Sequence, residues 1–302
     1  MEGWCKLMII IEFKGGLGNQ MFQYAFYEKL KHLGKNVSGD VSSFYQRTMD
    51  DSANAHNNTT KRKFELELFP NVDIKRAEDG IRQKYERKAY NIIHRLVGKL
   101  VYYRRKIYVE PNLNFDKNIY KLKDAYLSGY WQSPKYFADL REVLLNKFIF
   151  PEVEDDRNKE YLRKIRESNS VCIHVRRGDY LTEANQPLYG NICTLEYYQK
   201  AIQYFEDKYK NVTFFVFSND IEWTKKNLKM KNAVYVQGND EENGYKDMYL
   251  MTQCNHNIIA NSSFSWWGAW LNQNENQEVV APSKWLNTQD VQDIWCDNWI
   301  KI

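Results

Sequence analysis

Apolar residues in this chain form short runs that end abruptly in glycine, charged or hydroxyl residues. The run at residues 6–13 leads into a glycine-rich segment at 14–20 and then into a stretch with the apolar spacing of a helix. The runs at 171–175 and 256–260 lead in the same way into polar segments. Short buried strands that alternate with helices predict an α/β fold with parallel sheets.

The remaining apolar runs continue this alternation. A strand at 124–129 precedes a helix that begins with Ser133 as N-cap and Pro134 at its first position, and this helix is predicted to continue to Lys147. In the second half, strands are predicted at 213–217, 233–236 and 257–260, and helices after Thr194 and at 247–253.

A change in composition after Phe150 separates two halves of the chain. Pro151 follows directly, and an acidic run occupies residues 152–156. Such a segment is typical of a boundary between domains. We therefore predict an N-terminal domain at 1–152 and a C-terminal domain at 153–302, each large enough to form its own core.

The segment after the first strand suits a bound anion. Glycines let backbone N–H groups approach a ligand, and the helix that follows directs its N-terminus at negative charge. Asp40 lies about 20 residues further on, where a dinucleotide fold has its ribose-binding acid. Met21, however, occupies the position of the third glycine of that fingerprint, so a nicotinamide-dependent oxidoreductase is not favoured.

The strand at 171–175 carries charged residues at its carboxyl end. Ligands of open α/β sheets bind beyond strand carboxyl ends, and a guanidinium group matches phosphate oxygens. Because side chains alternate along a strand, Arg176 shares a side with His174, whereas Arg177 is predicted to pair with an acid in the core. The alternative is that both arginines form only structural salt bridges.

Composition narrows the class of protein. A net charge of +4 over 302 residues does not indicate a nucleic-acid partner. The 5 cysteines include no C-x-x-C pair, which is typical of reduced thiols in a cytoplasmic protein. No apolar stretch reaches the roughly 18 residues of a membrane span. No Asp-x-Asp triplet is present to bind a metal ion and a diphosphate together, so we expect no metal site.

Five motifs between residues 15 and 271 resemble those of the bacterial α-1,2-fucosyltransferases: GGLGNQMFQYAF, GYWQSPKYF, HVRRGDY, FSND and NSSFSWWGAWL. The resemblance implies a GT-B architecture, with two Rossmann-like domains facing a central cleft, the first on the acceptor side and the second binding GDP-fucose. It also implies inverting transfer of L-fucose from GDP-β-L-fucose to the 2-hydroxyl of a terminal galactoside. The implied setting is the synthesis of a bacterial surface polysaccharide, with no metal and no other cofactor.

The same resemblance implies roles for individual residues. Arg176 would neutralise charge on the diphosphate as the fucosyl bond breaks. Asp220 would bind the guanine edge, and a helix N-cap is the alternative. Inversion requires a group that accepts the proton of the attacking hydroxyl, for which Asp179 and Asn19 are the candidates. Further donor contacts are predicted at Gly15, Gly16, Gly18, Gln20, His174, Ser262, Ser263 and Phe264.

The acceptor is predicted to be a galactose-terminated oligosaccharide. Tyr130, Trp131 and Gln132 follow the strand at 124–129 and are predicted on the acceptor side, with packing in the domain core as the alternative. A basic segment at 75–106 with helically spaced apolar residues fits either a solvated helix or a helix on an anionic membrane surface. The second interpretation predicts peripheral contact with the inner face of the membrane and a lipid-linked acceptor.

Two other functions fit part of the pattern. A glycosyltransferase for another guanosine-diphosphate sugar would use Asp220 and Arg176 in the same way. A carbohydrate-binding protein without catalysis would explain 9 Trp and 22 Tyr, but it would not need glycine, arginine and serine turns at three strand ends. Turnover of GDP-fucose distinguishes these classes.

Overall fold

The computed structural model describes residues 7–45, 63–87, 106–240 and 242–302. The chain forms two compact units, Met1–Ile149 (unit 1) and Phe150–Ile302 (unit 2), so the second unit begins at the Phe150-Pro151 pair. Each unit is built on a parallel sheet with helices between its strands. The predicted α/β class with two Rossmann-like domains is confirmed.

Unit 1 contains a four-stranded sheet. Its described elements in chain order are β1 (Ile9–Glu12), α1 (Leu17–His32), β2 (Val37–Asp40), α2 (Ile81–Arg87), β3 (Lys106–Val109), β4 (Ala125–Ser128) and α3 (Arg141–Lys147). The strand order is β2-β1-β4-β3, and every pairing is parallel. All four residues of β1 are buried because β1 is a central strand.

Unit 2 contains a six-stranded sheet. Its described elements are α4 (Asp156–Arg166), β5 (Asn169–Val175), α5 (Gln186–Tyr189), α6 (Leu195–Lys208), β6 (Val212–Ser218), α7 (Ile221–Asn227), β7 (Ala233–Tyr235), α8 (Gly244–Gln253), β8 (His256–Ile258), α9 (Ser263–Trp270), β9 (Val279–Ala281) and β10 (Ile300–Lys301). The strand order is β10-β9-β8-β5-β6-β7, and all pairings are parallel.

Strand β5 is buried on both faces. Ile173 packs in one apolar cluster with residues of α6 such as Ile202 and Phe205, whereas Cys172 packs in a second cluster with Met251 of α8. Helices on both faces explain why β5 is apolar without alternation, and they leave the polar residues that follow it at the edge of the sheet.

The helix predicted from Ser133 to Lys147 is wrong in its first half. Ser133 does cap a turn by accepting from the amide of Lys135, but that turn is a 3-10 helix of three residues. The backbone then leaves the helical region at Phe137, with a φ of −148° and a ψ of 10°, a second 3-10 turn covers Ala138–Leu140, and only Arg141–Lys147 forms an α-helix. Phe137 is fully buried, so packing of its side chain outweighs local helix propensity.

Most of the basic segment predicted at 75–106 lies outside the described residues. Within the described part, Arg76 pairs with Glu67, Arg82 with Glu12 and Glu86, and Lys84 with Glu78. Among the described residues, no helix combines the length and the apolar character that a membrane span requires.

Candidate functional site

The order of strands in unit 2 reverses between β5 and β8. From β5 the chain proceeds outward through β6 and β7, whereas β8, β9 and β10 lie on the other side of β5. In open α/β sheets, ligands bind at the carboxyl edge where this reversal occurs. The polar segments identified in the sequence follow β5, β6 and β8, so the fold brings them to one edge.

Arg176 lies at this reversal, directly after β5. Its Nη2 donates to Oδ2 of Asp179 at 2.8 Å, and its guanidinium lies 5.8 Å from the ring centre of Tyr180. The Arg176 side chain is 28% exposed, and its Nε and Nη1 have no hydrogen-bond partner among the described residues. The arginine is therefore oriented by Asp179 and keeps donors for an anionic ligand.

Asp179 has one free oxygen. Oδ2 accepts from Arg176, while Oδ1 is buried and has no hydrogen-bond partner among the described residues. The backbone carbonyl of Asp179 accepts from the side chains of Thr182 and Asn185, which hold the loop after β5. In this geometry Asp179 orients Arg176, and its role as proton acceptor stays a prediction.

Arg177 is engaged within the protein, but its partner differs from the predicted core acid. Its Nε donates to Oδ2 of Asp220 at 3.3 Å, and its guanidinium stacks 3.8 Å from the ring centre of Trp223. Both side chains of the ion pair are partly exposed. The pairing links the ends of β5 and β6, because these strands are neighbours in the sheet.

Asp220 is the N-cap of α7. Its Oδ1 accepts from the amide of Trp223 at 3.1 Å, which is the alternative that the sequence left open. The observed cap does not exclude the predicted contact with guanine. A carboxylate offers about four lone-pair sites, and the cap and Arg177 use one on each oxygen. Binding of guanine by Asp220 stays a prediction.

His174 is buried beneath the arginine. It is 5% exposed, its ring lies 5.8 Å from that of Phe264, and its Nδ1 has no hydrogen-bond partner among the described residues. Burial, assisted by the nearby Arg176, lowers the pKa of His174 to about 3. The imidazole is therefore neutral at physiological pH, and its ring can form hydrogen bonds with a ligand without adding charge.

Helix α9 begins at the same edge, after β8. Ser262 is its N-cap and accepts from the amide of Phe264 at 3.4 Å. The first intrahelical bond runs from Trp266 N to Ser262 O, so the amides of Ser263 and Ser265 have no acceptor within the helix. The side chains of Ser262, Ser263 and Phe264 thus lie at a helix N-terminus, which favours negative charge.

The glycine segment of unit 1 is shorter than predicted. Helix α1 begins at Leu17, so Gly18, Asn19 and Gln20 belong to its first turn. Gly15 has a φ of 81°, and a Cβ there would lie 2.6 Å from Nδ2 of Asn19. Only glycine fits such a position. Gly15 and Gly16 therefore form the connection from β1 to α1.

Gln20 holds this connection in place. Its amide nitrogen donates to Gly15 O at 2.8 Å and Lys63 O at 2.9 Å, and its oxygen accepts from the amide of Glu65. Gln20 and Gly18 are buried, and Gln20 has no exposed surface. The predicted direct contact of Gln20 with the donor does not fit this burial. Asn19 is partly exposed, and its Nδ2 has no hydrogen-bond partner among the described residues.

Side-chain exposure differs among the residues of the turn after β4, residues 129–132. Tyr130 is 36% exposed, but Trp131 is 1% exposed and stacks on Phe26 with ring centres 4.6 Å apart. Trp131 is therefore a core residue, and its predicted place in an acceptor site is wrong. Gln132 is buried and donates from Nε2 to Oδ1 of Asn19 at 2.7 Å. We refer to these four residues as the β4 turn.

Sequence reasoning missed two polar side chains beside the β4 turn. Lys14 donates from Nζ to Glu12 and to Ser128, each at 3.0 Å, and lies 5.3 Å from the ring centre of Tyr130. Glu110, directly after β3, accepts from backbone amides of the turn. Each stands alone in sequence, and only the strand order β1-β4-β3 brings them together. The sequence signal for both residues is that a charged side chain follows directly after an apolar run.

No group of three or more His, Cys, Asp and Glu side chains is arranged to hold a metal ion in the part of the chain that the structure describes. The groups at the edge of unit 2 that keep hydrogen-bonding capacity include the Arg176 guanidinium, the neutral His174 and the hydroxyl groups at the start of α9. These groups are suited to phosphate oxygens.

Unit 2 thus combines a Rossmann-like fold with a partly paired guanidinium and a helix N-terminus at its strand reversal, an arrangement common among nucleotide-binding domains. The sequence profile of glycosyl transferase family 11 matches residues 99–302, and the chain belongs to this family. The protein is thus a glycosyltransferase, and the predicted relation to α-1,2-fucosyltransferases is confirmed.

Two bacterial relatives match nearly the whole chain. An alpha-1,2-colitosyltransferase from Escherichia coli is 31% identical over 98% of this chain and 99% of its own length. The O-antigen biosynthesis glycosyltransferase WbnK from Escherichia coli is 32% identical over 95% of this chain and 98% of its own. A galactoside alpha-(1,2)-fucosyltransferase 1 from Saimiri boliviensis boliviensis is 33% identical over 48% of this chain and 42% of its own length.

Proposed function

We propose that this glycosyltransferase transfers L-fucose from GDP-β-L-fucose to the 2-hydroxyl of a terminal galactoside, with inversion at the anomeric carbon. The observation that carries the proposal is Arg176, which Asp179 orients at the strand reversal of unit 2 with donors left for a diphosphate. The relatives named for α-1,2 transfer support the linkage. The relative named for O-antigen biosynthesis supports a bacterial surface oligosaccharide, which is lipid-linked in this proposal, as acceptor.

The donor site would act by stabilising the leaving group. Breaking the fucosyl bond places negative charge on GDP, and the Arg176 guanidinium together with the α9 N-terminus offsets it. His174 is neutral, so it adds a hydrogen bond and no charge. In this proposal the reaction uses neither a metal ion nor another cofactor.

The acceptor hydroxyl must lose its proton during transfer. Asp179 and Asn19 were the two candidates for this step. One oxygen of Asp179 is committed to Arg176, which supports a positioning role, and its Oδ1, unpaired among the described residues, is the carboxylate oxygen that remains to accept this proton. Asn19 has an amide that can donate to a sugar or phosphate oxygen but cannot take up a proton at neutral pH.

A second candidate donor is GDP-colitose. Colitose is L-fucose without its 3-hydroxyl group, and a relative that matches 98% of this chain is named as a colitosyltransferase. Arg176 and Asp220 would bind the GDP portion of either donor in the same way. The two proposals therefore differ only in the contacts made to the 3-position of the sugar.

Product analysis with a panel of donors tests both candidates. The purified chain is incubated with lactose and with GDP-fucose, GDP-colitose, GDP-mannose or UDP-galactose, with and without excess EDTA. We expect transfer from GDP-fucose, an α-1,2 linkage by NMR, and the same rate with EDTA. A higher kcat/KM with GDP-colitose would select the second candidate.

Two other outcomes contradict the proposal. Binding of lactose without turnover of any donor would indicate a carbohydrate-binding protein. Rescue of an EDTA-treated sample only by a divalent ion would contradict the metal-free step.

A further inference from the structure

Glu110 fixes two successive peptide groups of the β4 turn. Its Oε2 accepts from the amide of Tyr130 at 2.6 Å, and both of its oxygens lie 3.2 Å from the amide of Trp131. Its own amide donates to Ser128 O at 2.8 Å, which extends the β3-β4 pairing to the end of both strands. One carboxylate therefore connects the edge strand of unit 1 to the turn on its neighbour.

The β4 turn has a backbone that needs such a support. Trp131 has a φ of 56°, a left-handed conformation that is unfavourable for a bulky side chain. At Gly129 a Cβ would lie 2.6 Å from Cβ of Glu110 and 2.7 Å from its Oε2, so only glycine lets the carboxylate reach the turn. Stacking of Trp131 in the core and the Glu110 hydrogen bonds together hold this strained conformation.

The supported turn presents one aromatic ring to solvent. Tyr130 is 36% exposed, while the neighbouring Trp131 and Gln132 are buried. Lys14, itself held by Glu12 and Ser128, lies 5.3 Å from the Tyr130 ring centre. A partly exposed aromatic ring with a polar tip, on a backbone held by hydrogen bonds and core packing, is suited to the apolar face and hydroxyl groups of a sugar.

We propose that Glu110 is a positioning residue that fixes the β4 turn and thereby holds the Tyr130 ring as a platform for the acceptor sugar. This inference rests on the proposed function, because it takes a galactoside as the acceptor. Glu110 itself does not touch substrate in this arrangement. Its loss acts through Tyr130, so it weakens acceptor binding and leaves donor binding in unit 2 intact.

Ionisation of Glu110 supplies a readout that a purely structural role would not give. The titratable groups that face it are Lys14 after β1, Tyr108 on β3, Tyr130 in the β4 turn and Tyr136 beyond it. Burial raises the pKa of Glu110 to about 7, although the two amides and Lys14 oppose this shift. A protonated carboxyl would direct an O–H at a backbone N–H, so the turn is best held by the ionised form.

The test compares Glu110→Gln and Tyr130→Ala with Glu142→Gln, which removes an exposed charge on α3. Steady-state kinetics give the KM for lactose and for GDP-fucose between pH 5.5 and 8.5, and thermal melts monitor folding. For Glu110→Gln we expect a lactose KM raised about tenfold or more, the effect of losing a charged hydrogen bond, with donor KM unchanged. The lactose KM of the unmodified protein rises as pH falls through about 7. This pH dependence disappears in Glu110→Gln.

Several results would overturn the proposal. One is a lactose KM in Glu110→Gln equal to that of Glu142→Gln. Another is an equal rise in the KM for lactose and for GDP-fucose that accompanies a lower melting temperature. Gly129→Ala provides a second route, because it keeps Glu110 but displaces its carboxylate, and it should reproduce the raised lactose KM. If the unmodified chain does not turn over GDP-fucose, the proposed function fails separately. Lactose binding by ligand-observed NMR to the unmodified chain and to Glu110→Gln then decides the role of Glu110.

Discussion

The carboxyl edges of the two sheets carry similar residue types but use them differently. In unit 2, one nitrogen of Arg176 donates to Asp179, and the other guanidinium nitrogens remain available to a ligand. In unit 1, Lys14 is bound to Glu12 and Ser128, and Gln20 is bound entirely to backbone groups. The comparison indicates that unit 2 offers charge to a ligand, whereas unit 1 uses its polar residues to hold backbone in unusual conformations.

The largest effect is expected at Arg176, whose guanidinium keeps donors that Asp179 does not use. Arg176→Ala should lower kcat at least a hundredfold, because loss of one donor to a developing anion costs about 3 kcal/mol in the transition state. Arg176→Lys keeps a charge but loses the planar donor fork, so its kcat should lie between those of the unmodified protein and Arg176→Ala. Turnover of GDP-fucose and GDP binding, measured on the same preparations, separate catalysis from affinity.

Arg177 is the matched control for this prediction. Its guanidinium is occupied by Asp220 and Trp223, so Arg177→Ala should lower the melting temperature while kcat falls less than in Arg176→Ala. Near-normal turnover in Arg176→Ala, together with a large catalytic loss in Arg177→Ala, would reverse the assignment of the two arginines.

A smaller effect is expected at Asp220, where the cap and the predicted guanine contact can be separated. Asparagine caps helices about as well as aspartate, so Asp220→Asn should keep the cap of α7, lose the ion pair with Arg177 and lower the melting temperature less than Asp220→Ala does. It loses the second acceptor oxygen and should weaken GDP binding by about 1 to 3 kcal/mol. Asp220→Ala should lower both stability and affinity. GDP affinity in Asp220→Asn equal to that of the unmodified protein, by calorimetry, would leave Asp220 with the capping role alone.

The contrast between the units also explains what could be predicted from sequence. The strands at 124–129, 171–175 and 213–217 were predicted because a buried parallel strand is a continuous apolar run with a polar end. Arg176 could be placed at the carboxyl end of a strand for the same reason, since it follows such a run directly. These are local signals, and they describe the edge of unit 2 well.

The edge of unit 1 depends on contacts that are distant in sequence. Glu110 reaches the β4 turn only because β3 pairs with β4, and Trp131 is buried only because α1 brings Phe26 against it. Neither pairing order nor burial of an aromatic residue can be read from a motif. The break at Phe137 in the predicted helix has the same cause, because burial of its side chain overrides local propensity.

The smallest expected effect is a pH dependence of stability with opposite sign in the two units. The folded-state pKa of His174 is lowered to about 3, so below its usual value of 6.5 the unfolded chain binds a proton that the folded chain does not. Stability from His174 is therefore lost as pH falls below about 6.5. The pKa of Glu110 is raised from 4.5 to about 7, so the folded chain binds the extra proton, and stability is lost as pH rises across that interval.

Urea unfolding at pH 7 and pH 5.5 measures both contributions. The contribution of His174 lowers the free energy of unfolding by roughly 1 kcal/mol between these two pH values, and His174→Gln should remove this decrease. Glu110→Gln should make the decrease on acidification larger, because it removes the opposing contribution of Glu110. An unchanged slope in His174→Gln would mean that the imidazole gains a polar partner in solution, and the neutral hydrogen-bonding role given to it in the donor site would then have to be abandoned.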